Sequence, residues 1–228
     1  VCSSDLAWRN DTGFTSNGGT LEGNRAYLNR VGIAITGASG VSILGSKVYN
    51  NVYGIYGDTF AGINLIANNL VYDNSGRGIQ LNGVHSSSGA TTLLNNTVAE
   101  QNSNAVEIIG NSRNVTLKQN ILWSAGPGNY ALLVADSAQS GFSSDFNAFH
   151  YTNGAKMGLW QNPFSTLADW RYELGFDLNS LAGDPAFVAP AGTDGSRGAQ
   201  GDEGLAFEYF PNNNLSGAPS MTAIDRVI

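Results

Sequence analysis

Apolar and polar residues alternate in short runs that recur along the first two thirds of the chain. Five runs align on one polar position: "VSILGSKV" (41–48), "NLIANNLV" (64–71), "TTLLNNTV" (91–98), "VTLKQNIL" (115–122) and "GFSSDFNAF" (141–149). The aligned residues are Ser46, Asn69, Asn96, Asn120 and Asn147. Their spacing averages about 25 residues, which is typical of a repeat architecture.

Columns of apolar residues flank this polar position. Ile43, Ile66, Leu93, Leu117 and Ser144 lie three residues before it, and Val48, Val71, Val98, Leu122 and Phe149 lie two residues after it. A second strand recurs as "VGIAIT", "YGIYGD", "RGIQLN", "NAVEII" and "YALLVA". Period-two alternation predicts that one face of each strand is buried. In this second strand we expect the inward residues Ile33, Ile55, Ile79, Val106, Ala131, Ile35, Gly57, Leu81, Ile108 and Leu133.

Short strands with Gly and Asn turns at this period predict an all-β fold, a parallel β-helix in which each repeat forms one rung. Stacked rungs place equivalent residues in ladders about 4.8 Å apart. Asn tolerates the left-handed region at tight turns and hydrogen-bonds the backbone, so the Asn column is interpreted as a structural ladder. A propeller or a sandwich also has short strands, and a sandwich has turns every 8–12 residues without a fixed Asn column at this period. Both folds are therefore less favoured than the β-helix.

The pattern changes after about residue 150. One short helix is predicted in a closing segment at 154–190, capped by Ser165 or Thr166, with Leu167, Trp170 and Leu174 on one face and Gly175 at its end. Such a segment would cover the end of the solenoid. The other predicted parts are a non-native leader (1–6), β-helix rungs (7–153), a linker (191–203) and the start of another module (204–228).

The composition narrows the function classes. The formal net charge of −7 disfavours nucleic acid as a partner. No apolar run is long enough to predict a membrane span. The single cysteine, Cys2, allows no internal disulfide.

Residues 24–188 resemble the right-handed parallel β-helix proteins of the pectate-lyase-like superfamily. The resemblance is carried by the "GI" strands, the Asn column and "STLADWRYELGFDLNSLAGDPAFV" near the end. This resemblance implies that the solenoid is right-handed, since the residues alone do not determine its handedness. The superfamily contains lyases, hydrolases, epimerases, tailspikes and proteins without known activity, so the fold does not fix the function.

Residues 204–228 resemble the opening of the protective-antigen-type carbohydrate-binding module, through Gly204, Leu205, Glu208, Tyr209, Phe210 and "NLSG" (214–217). Only the first strand or two of that module would be present. Together the two resemblances imply a bacterial protein that acts on or binds polysaccharide outside the cell, with a secreted or cell-surface location.

Lyases of this superfamily use a Lys or Arg base, an Arg near the leaving group and often calcium. β-Elimination needs these groups because the α-proton of a uronate is weakly acidic until its carboxylate is neutralised. The catalytic candidates on consecutive rungs are Arg77, Glu107, Arg113 and Lys118. The alternative is that they are solvated residues with local ion pairs, such as Lys118 stacked on Asp145.

Asp73 and Glu100 align in one column on adjacent rungs. Two neighbouring carboxylates favour a cation between them, and calcium, which takes oxygen ligands, is the cofactor this pair would hold. The alternative is two exposed turn carboxylates that point apart. His85 and His150 lack the spacing of a zinc site.

The candidates for substrate binding are Tyr56, Tyr72, Gln80, His85 and Trp123. Outward aromatic rings can stack on sugar rings, although partial burial against neighbouring rungs would explain them as well.

We therefore expect a monomeric carbohydrate-active protein with a polysaccharide partner, leaning to a lyase that acts on acidic glycans. A non-catalytic carbohydrate-binding or adhesive solenoid is the alternative, and a pure spacer would have no groove.

Overall fold

The computed structural model describes residues 2–37, 39–58, 61–85 and 89–187, and the backbone of two strands at 205–209 and 221–225. The chain divides into two compact units, residues 1–185 and 186–228. Within the described residues, no helix has the length and apolar character needed to cross a membrane.

Three sheets run along the first unit, and each complete rung contributes one strand to each sheet. Neighbouring strands are parallel, except the last two strands of the third sheet, which are antiparallel. The first sheet has seven strands, β1 Cys2–Ser3, β4 Gly19–Glu22, β7 Val41–Leu44, β10 Ile63–Ala67, β13 Thr91–Leu94, β16 Val115–Lys118 and β19 Ser143–Asp145. The second sheet has eight, β2 Leu6–Trp8, β5 Arg25–Tyr27, β8 Lys47–Tyr49, β11 Leu70–Tyr72, β14 Thr97–Glu100, β17 Ile121–Ala125, β20 Ala148–Thr152 and β23 Leu181–Ala182. The third also has eight, β3 Thr12–Thr15, β6 Val31–Ile35, β9 Tyr53–Gly57, β12 Arg77–Asn82, β15 Asn104–Ile109, β18 Tyr130–Val134, β21 Lys156–Trp160 and β22 Asn162–Phe164.

The predicted β-helix is therefore confirmed, and the two apolar columns beside the Asn position form the core. All their members are buried, with Ser144 closing the first column and Phe149 the second. Residues 2–6, expected to be a leader, contribute β1 and the start of β2, which pair with the next rung.

One predicted column is out of register. Ala131 and Leu133 were expected to continue the inward columns of the third sheet, but Val106 pairs with Leu132 and Ile108 pairs with Val134. Leu133 therefore points outward, beside Glu107. A shift of one residue reverses the face of every side chain in a strand, and the longer connection before β18 hides this shift from sequence alignment.

The Asn column is a continuous ladder of hydrogen bonds, as predicted. Asn96 Oδ1 accepts from the backbone N–H of Asn69 at 3.1 Å and from its side-chain amide at 2.9 Å. The side-chain amide of Asn96 donates in turn to the backbone carbonyl oxygen of Ile66 and to Asn120 Oδ1. Asn120 and Asn147 repeat the arrangement, and the hydroxyl of Ser180 ends the ladder.

Asn96→Ala should lower the free energy of unfolding by about 2–3 kcal/mol, because it leaves buried polar groups of Asn69 and Ile66 without partners. Asn96→Ser copies the residue found at Ser46 in the same ladder, so it should cost clearly less. Urea denaturation followed by circular dichroism measures both variants. Equal losses for Ala and Ser would contradict a hydrogen-bonding role.

The predicted closing segment is also confirmed. Helix α1 spans Leu167–Leu174, with Thr166 as its N-cap and Gly175 in the left-handed conformation at its end. A short 3-10 helix, Asp136–Ala138, follows β18. The side chain of Trp170 is fully buried and its indole N–H donates to Asp177 Oδ2 at 3.0 Å. Asp177 Oδ1 accepts from Ser144, Asn147 and Ser180, so the closing segment is bonded to the end of the Asn ladder.

The predicted linker at 191–203 lies outside the described residues. Within 204–228, strands β24 Leu205–Tyr209 and β25 Met221–Asp225 pair antiparallel. The likeness of this region to a carbohydrate-binding module stays a prediction.

Candidate functional site

Two outward columns on the third sheet bring together four of the predicted site residues, Tyr56, Arg77, Gln80 and Glu107. The first column contains Tyr53, Arg77, Asn104, Tyr130 and Lys156. The second contains Tyr56, Gln80, Glu107, Leu133 and Leu159. We call these ten residues the third-sheet face. Sequence alignment missed Tyr130 because the register of β18 was misassigned, and it missed Lys156 because the aligned strands ended before β21.

The centre of the third-sheet face is a charge pair that was predicted in part. Arg77 Nε lies 2.5 Å from Glu107 Oε1, and the Arg77 side chain is 37% exposed whereas that of Glu107 is 5% exposed. Glu107 also accepts from the side-chain amides of Gln80 and Asn104, each at 2.5 Å. These contacts hold the carboxylate in place and leave part of the guanidinium in contact with solvent.

Two tyrosines lie on the rung before this pair. The ring centroids of Tyr53 and Tyr56 are 6.0 Å apart, with the rings tilted by 48°. The Tyr56 hydroxyl donates to Asp58 at 3.1 Å and accepts from Asn82 at 3.4 Å. Burial raises the pKa of the Tyr56 phenol, and the charge of Asp58 adds to this effect. Tyr56 is thus a neutral, oriented aromatic side chain on an open strand face.

Arg113 and Lys118 lie away from this group. Arg113 is exposed in the connection between β15 and β16, and Lys118 is exposed at the end of β16 in the first sheet. Lys118 lies in register with Asp145, as predicted, but among the described residues no ion pair joins the two side chains. The expected single groove containing all four catalytic candidates is therefore not formed, since only Arg77 and Glu107 come together. Sequence alignment matched rungs but did not separate the faces of the solenoid.

Tyr72 and Trp123 share an outward column on the second sheet, as predicted, with Ala99 between them. The rings of Trp8, Tyr27, Tyr49 and Tyr72 form a stack on consecutive rungs, with centroids 6.2, 5.3 and 4.9 Å apart and planes within 8° of parallel. Each inner ring covers the faces of its neighbours, so this column offers mainly ring edges to a ligand. The ring centroids of Trp123 and His150 are 5.4 Å apart. His85 lies in a loop, where its ring nitrogen Nδ1 contacts the backbone carbonyl oxygen of Gly83.

Asp73 and Glu100 directly follow the paired residues Tyr72 and Ala99, but the two carboxylates differ in burial and in hydrogen-bond partners. Glu100 is fully buried, and its two oxygens accept from the backbone N–H and the side-chain amide of Asn74 at 2.6 and 2.9 Å. Burial raises the pKa of Glu100 to about 8, although the hydrogen bonds from Asn74 oppose this change. Asp73 is half-exposed at a positive φ of 53° and accepts from Gln101.

Glu100 therefore ends a second ladder, formed by Asn29, Asn51 and Asn74, that sequence analysis missed. These three residues follow the first ladder by five positions, a signal present in the sequence. Glu100 follows Asn96 by four positions, and its longer side chain reaches the same place. Within the described ranges, no three His, Cys, Asp or Glu residues come together in a way that could hold a metal. Calcium at Asp73 and Glu100 stays a prediction, which requires Glu100 to release Asn74.

Comparison with known proteins places this geometry in a family. No curated protein and no solved structure gives a significant match to the sequence. The family model described as "Right handed beta helix region" matches residues 3–158, which is more than half of the chain. The three parallel sheets, the Asn ladders and this match agree: the chain belongs to the right-handed β-helix family.

Proposed function

We propose that this β-helix is a secreted or cell-surface carbohydrate-active protein that holds a polysaccharide on the third-sheet face. The observation that carries the proposal is the grouping of Tyr53 and Tyr56 with the polar groups of Arg77, Gln80 and Glu107 on consecutive rungs. Aromatic rings supply apolar contact for sugar rings, and amide and guanidinium groups donate hydrogen bonds to hydroxyl or carboxylate oxygens.

Two forms of this function make different demands on the same residues. A lyase needs a cation near the uronate carboxylate and a base, and the exposed part of the Arg77 guanidinium supports that form. A non-catalytic binder needs only the tyrosines and the polar ladder. The Arg77–Glu107 pair favours the binder, because Glu107 already neutralises the cation.

Affinity gel electrophoresis against pectate, alginate and glycosaminoglycans tests binding. Tyr56→Ala should weaken retention by about tenfold, the loss that corresponds to about 1.4 kcal/mol of ring contact. Tyr172→Ala is the matched control, because Tyr172 is a 92% exposed tyrosine on the closing helix. Equal retention of both variants would contradict a site on the third-sheet face.

Ultraviolet absorbance of unsaturated products, measured with calcium and the same polymers, separates the two forms. A rise that disappears in Arg77→Ala and partly returns in Arg77→Lys would establish a lyase at this face. A rise that disappears in Lys118→Ala or Arg113→Ala would place the chemistry elsewhere on the solenoid. Binding without any rise would establish the non-catalytic form.

A further inference from the structure

The outward face of the first sheet is a second surface, distinct from the third-sheet face. One of its columns contains Glu22, Leu44, Ala67, Leu94 and Lys118, and the parallel column contains Thr20, Ser42, Leu65, Thr92 and Thr116. We call these ten residues the first-sheet face. On its three middle strands, β7, β10 and β13, the side chains of Leu44, Leu65 and Leu94 are partly exposed. Ala67, between Leu44 and Leu94, is 3% exposed.

The first-sheet face has a symmetric pattern about its central strand, β10. Leu44 and Leu94 lie one strand to either side of Ala67, and Ser42 and Thr92 lie one strand to either side of Leu65. Thr20 and Thr116 occupy matching positions two strands from the centre. A two-fold axis parallel to the strands and just outside β10 would bring each aliphatic or hydroxyl residue of this face against one of the same kind.

The charges at the two ends of this face are opposite. Glu22 lies two strands before β10 and Lys118 lies two strands after it, in the same column. Both side chains are exposed, and in the part of the chain that the structure describes neither makes an ion pair. Asp145, the neighbour of Lys118 on the next rung, is instead bonded by the backbone and side-chain amides of Asn179.

We propose that the first-sheet face binds a second copy of this chain, with the two solenoid axes antiparallel. The two-fold axis reverses the order of the strands and keeps the position along each strand. Glu22 of each copy therefore faces Lys118 of the other, Leu44 faces Leu94, and Ala67 faces itself. Such an isologous contact is self-complementary in both shape and charge. This inference differs from the monomer that was expected from the sequence, which stays a prediction, and it does not depend on the proposed carbohydrate site.

The size of the surface sets the strength of the contact. Five strands span about 19 Å along the solenoid axis, and each strand is short. Such a patch buries less than the roughly 800 Å² per partner of a standard interface. The dimer should therefore be weak and should form as the protein concentration rises.

Sedimentation velocity of the full chain over a concentration series tests this proposal. The unchanged chain should shift from monomer toward dimer. Glu22→Lys alone and Lys118→Glu alone each place like charges opposite one another twice per dimer, so each should raise the dissociation constant by about tenfold. The double swap, Glu22→Lys with Lys118→Glu, restores opposite charges and should return the constant to within about threefold of the starting value.

The double swap distinguishes this arrangement from a parallel one, in which Glu22 would face Glu22 and the swap would restore nothing. A sedimentation coefficient that stays monomeric at every concentration would overturn the proposal. So would a double swap that remains as weak as the single variants.

Discussion

Trp170→Ala should lower the free energy of unfolding by about 3–5 kcal/mol, the range typical of removing a large buried aromatic side chain. Trp170 is fully buried and packs edge-on against Trp160 and Phe164, with centroids 6.2 and 5.4 Å away. Its indole N–H also satisfies Asp177, which is 1% exposed. The substitution therefore opens a cavity and removes a hydrogen-bond donor from a buried carboxylate.

The tight fit around Trp170 explains why the site should not collapse to fill the cavity. A Cβ at Gly158 would lie 2.9 Å from Trp170 and 2.9 Å from the Leu132 carbonyl oxygen, so the indole already packs directly on the backbone of β21. Asp177 also bonds Ser144 and Asn147, so the loss should spread to the end of the first ladder.

Urea denaturation followed by circular dichroism measures the effect. Tyr172→Ala is the matched control, an aromatic-to-alanine change on the same helix at a 92% exposed position, and it should change stability by less than about 0.5 kcal/mol. A closing segment that merely rests on the solenoid would make the two variants equally stable, contrary to this account.

Glu100→Gln should stabilise the protein at alkaline pH and remove part of its pH dependence. The pKa of Glu100 is about 8 in the folded protein against an ordinary value of 4.5, because burial disfavours the charged form. Between these two values the unfolded chain has released the proton that the folded chain retains. Stability therefore falls as the pH rises through this window.

The difference between the two pKa values lowers the free energy of unfolding by about 5 kcal/mol at pH 8 and above. At pH 4.5 and below it lowers that free energy very little. Gln retains a carbonyl oxygen that can accept from Asn74, as Asn74 accepts from Asn51 one rung earlier. The variant should thus continue the second ladder without a charge. Unfolding free energies at pH 5, 7 and 9 should separate from those of the unchanged chain progressively.

Glu173→Gln, the same chemical change at an exposed position on the closing helix, is the control. It should leave the pH profile of stability unchanged. Parallel profiles for Glu100→Gln and the unchanged chain would show that Glu100 is ionised in the folded protein at neutral pH.

The repeat made the solenoid predictable from the sequence because the first Asn ladder has a nearly constant spacing and a buried apolar residue on either side. The helix of the closing segment was predictable from local signals, since Thr166 and Gly175 cap it directly. The second ladder was missed because Gln101 stands where a further Asn would keep the spacing, and Glu100 reaches that place from one residue earlier.

The candidate site was less predictable for a physical reason. Alignment of rungs gives the order of residues along the solenoid axis, but the face on which each residue lies depends on the length of every connection. Arg77 and Glu107 were placed together because their strands have equal length and register. Arg113 lies in the next connection, where the chain passes from the third sheet to the first, and Lys118 lies beyond it at the end of β16.

Hydroxyl-radical footprinting with a bound polysaccharide tests the central claim most directly, because the third-sheet face and the second-sheet stack both contain tyrosines. We expect the polymer to protect Tyr53, Tyr56 and Tyr130, while Trp8 and Tyr27 remain as reactive as in the free protein. Protection of Trp8 and Tyr27, with Tyr53 and Tyr56 unchanged, would contradict it and place the ligand on the second sheet.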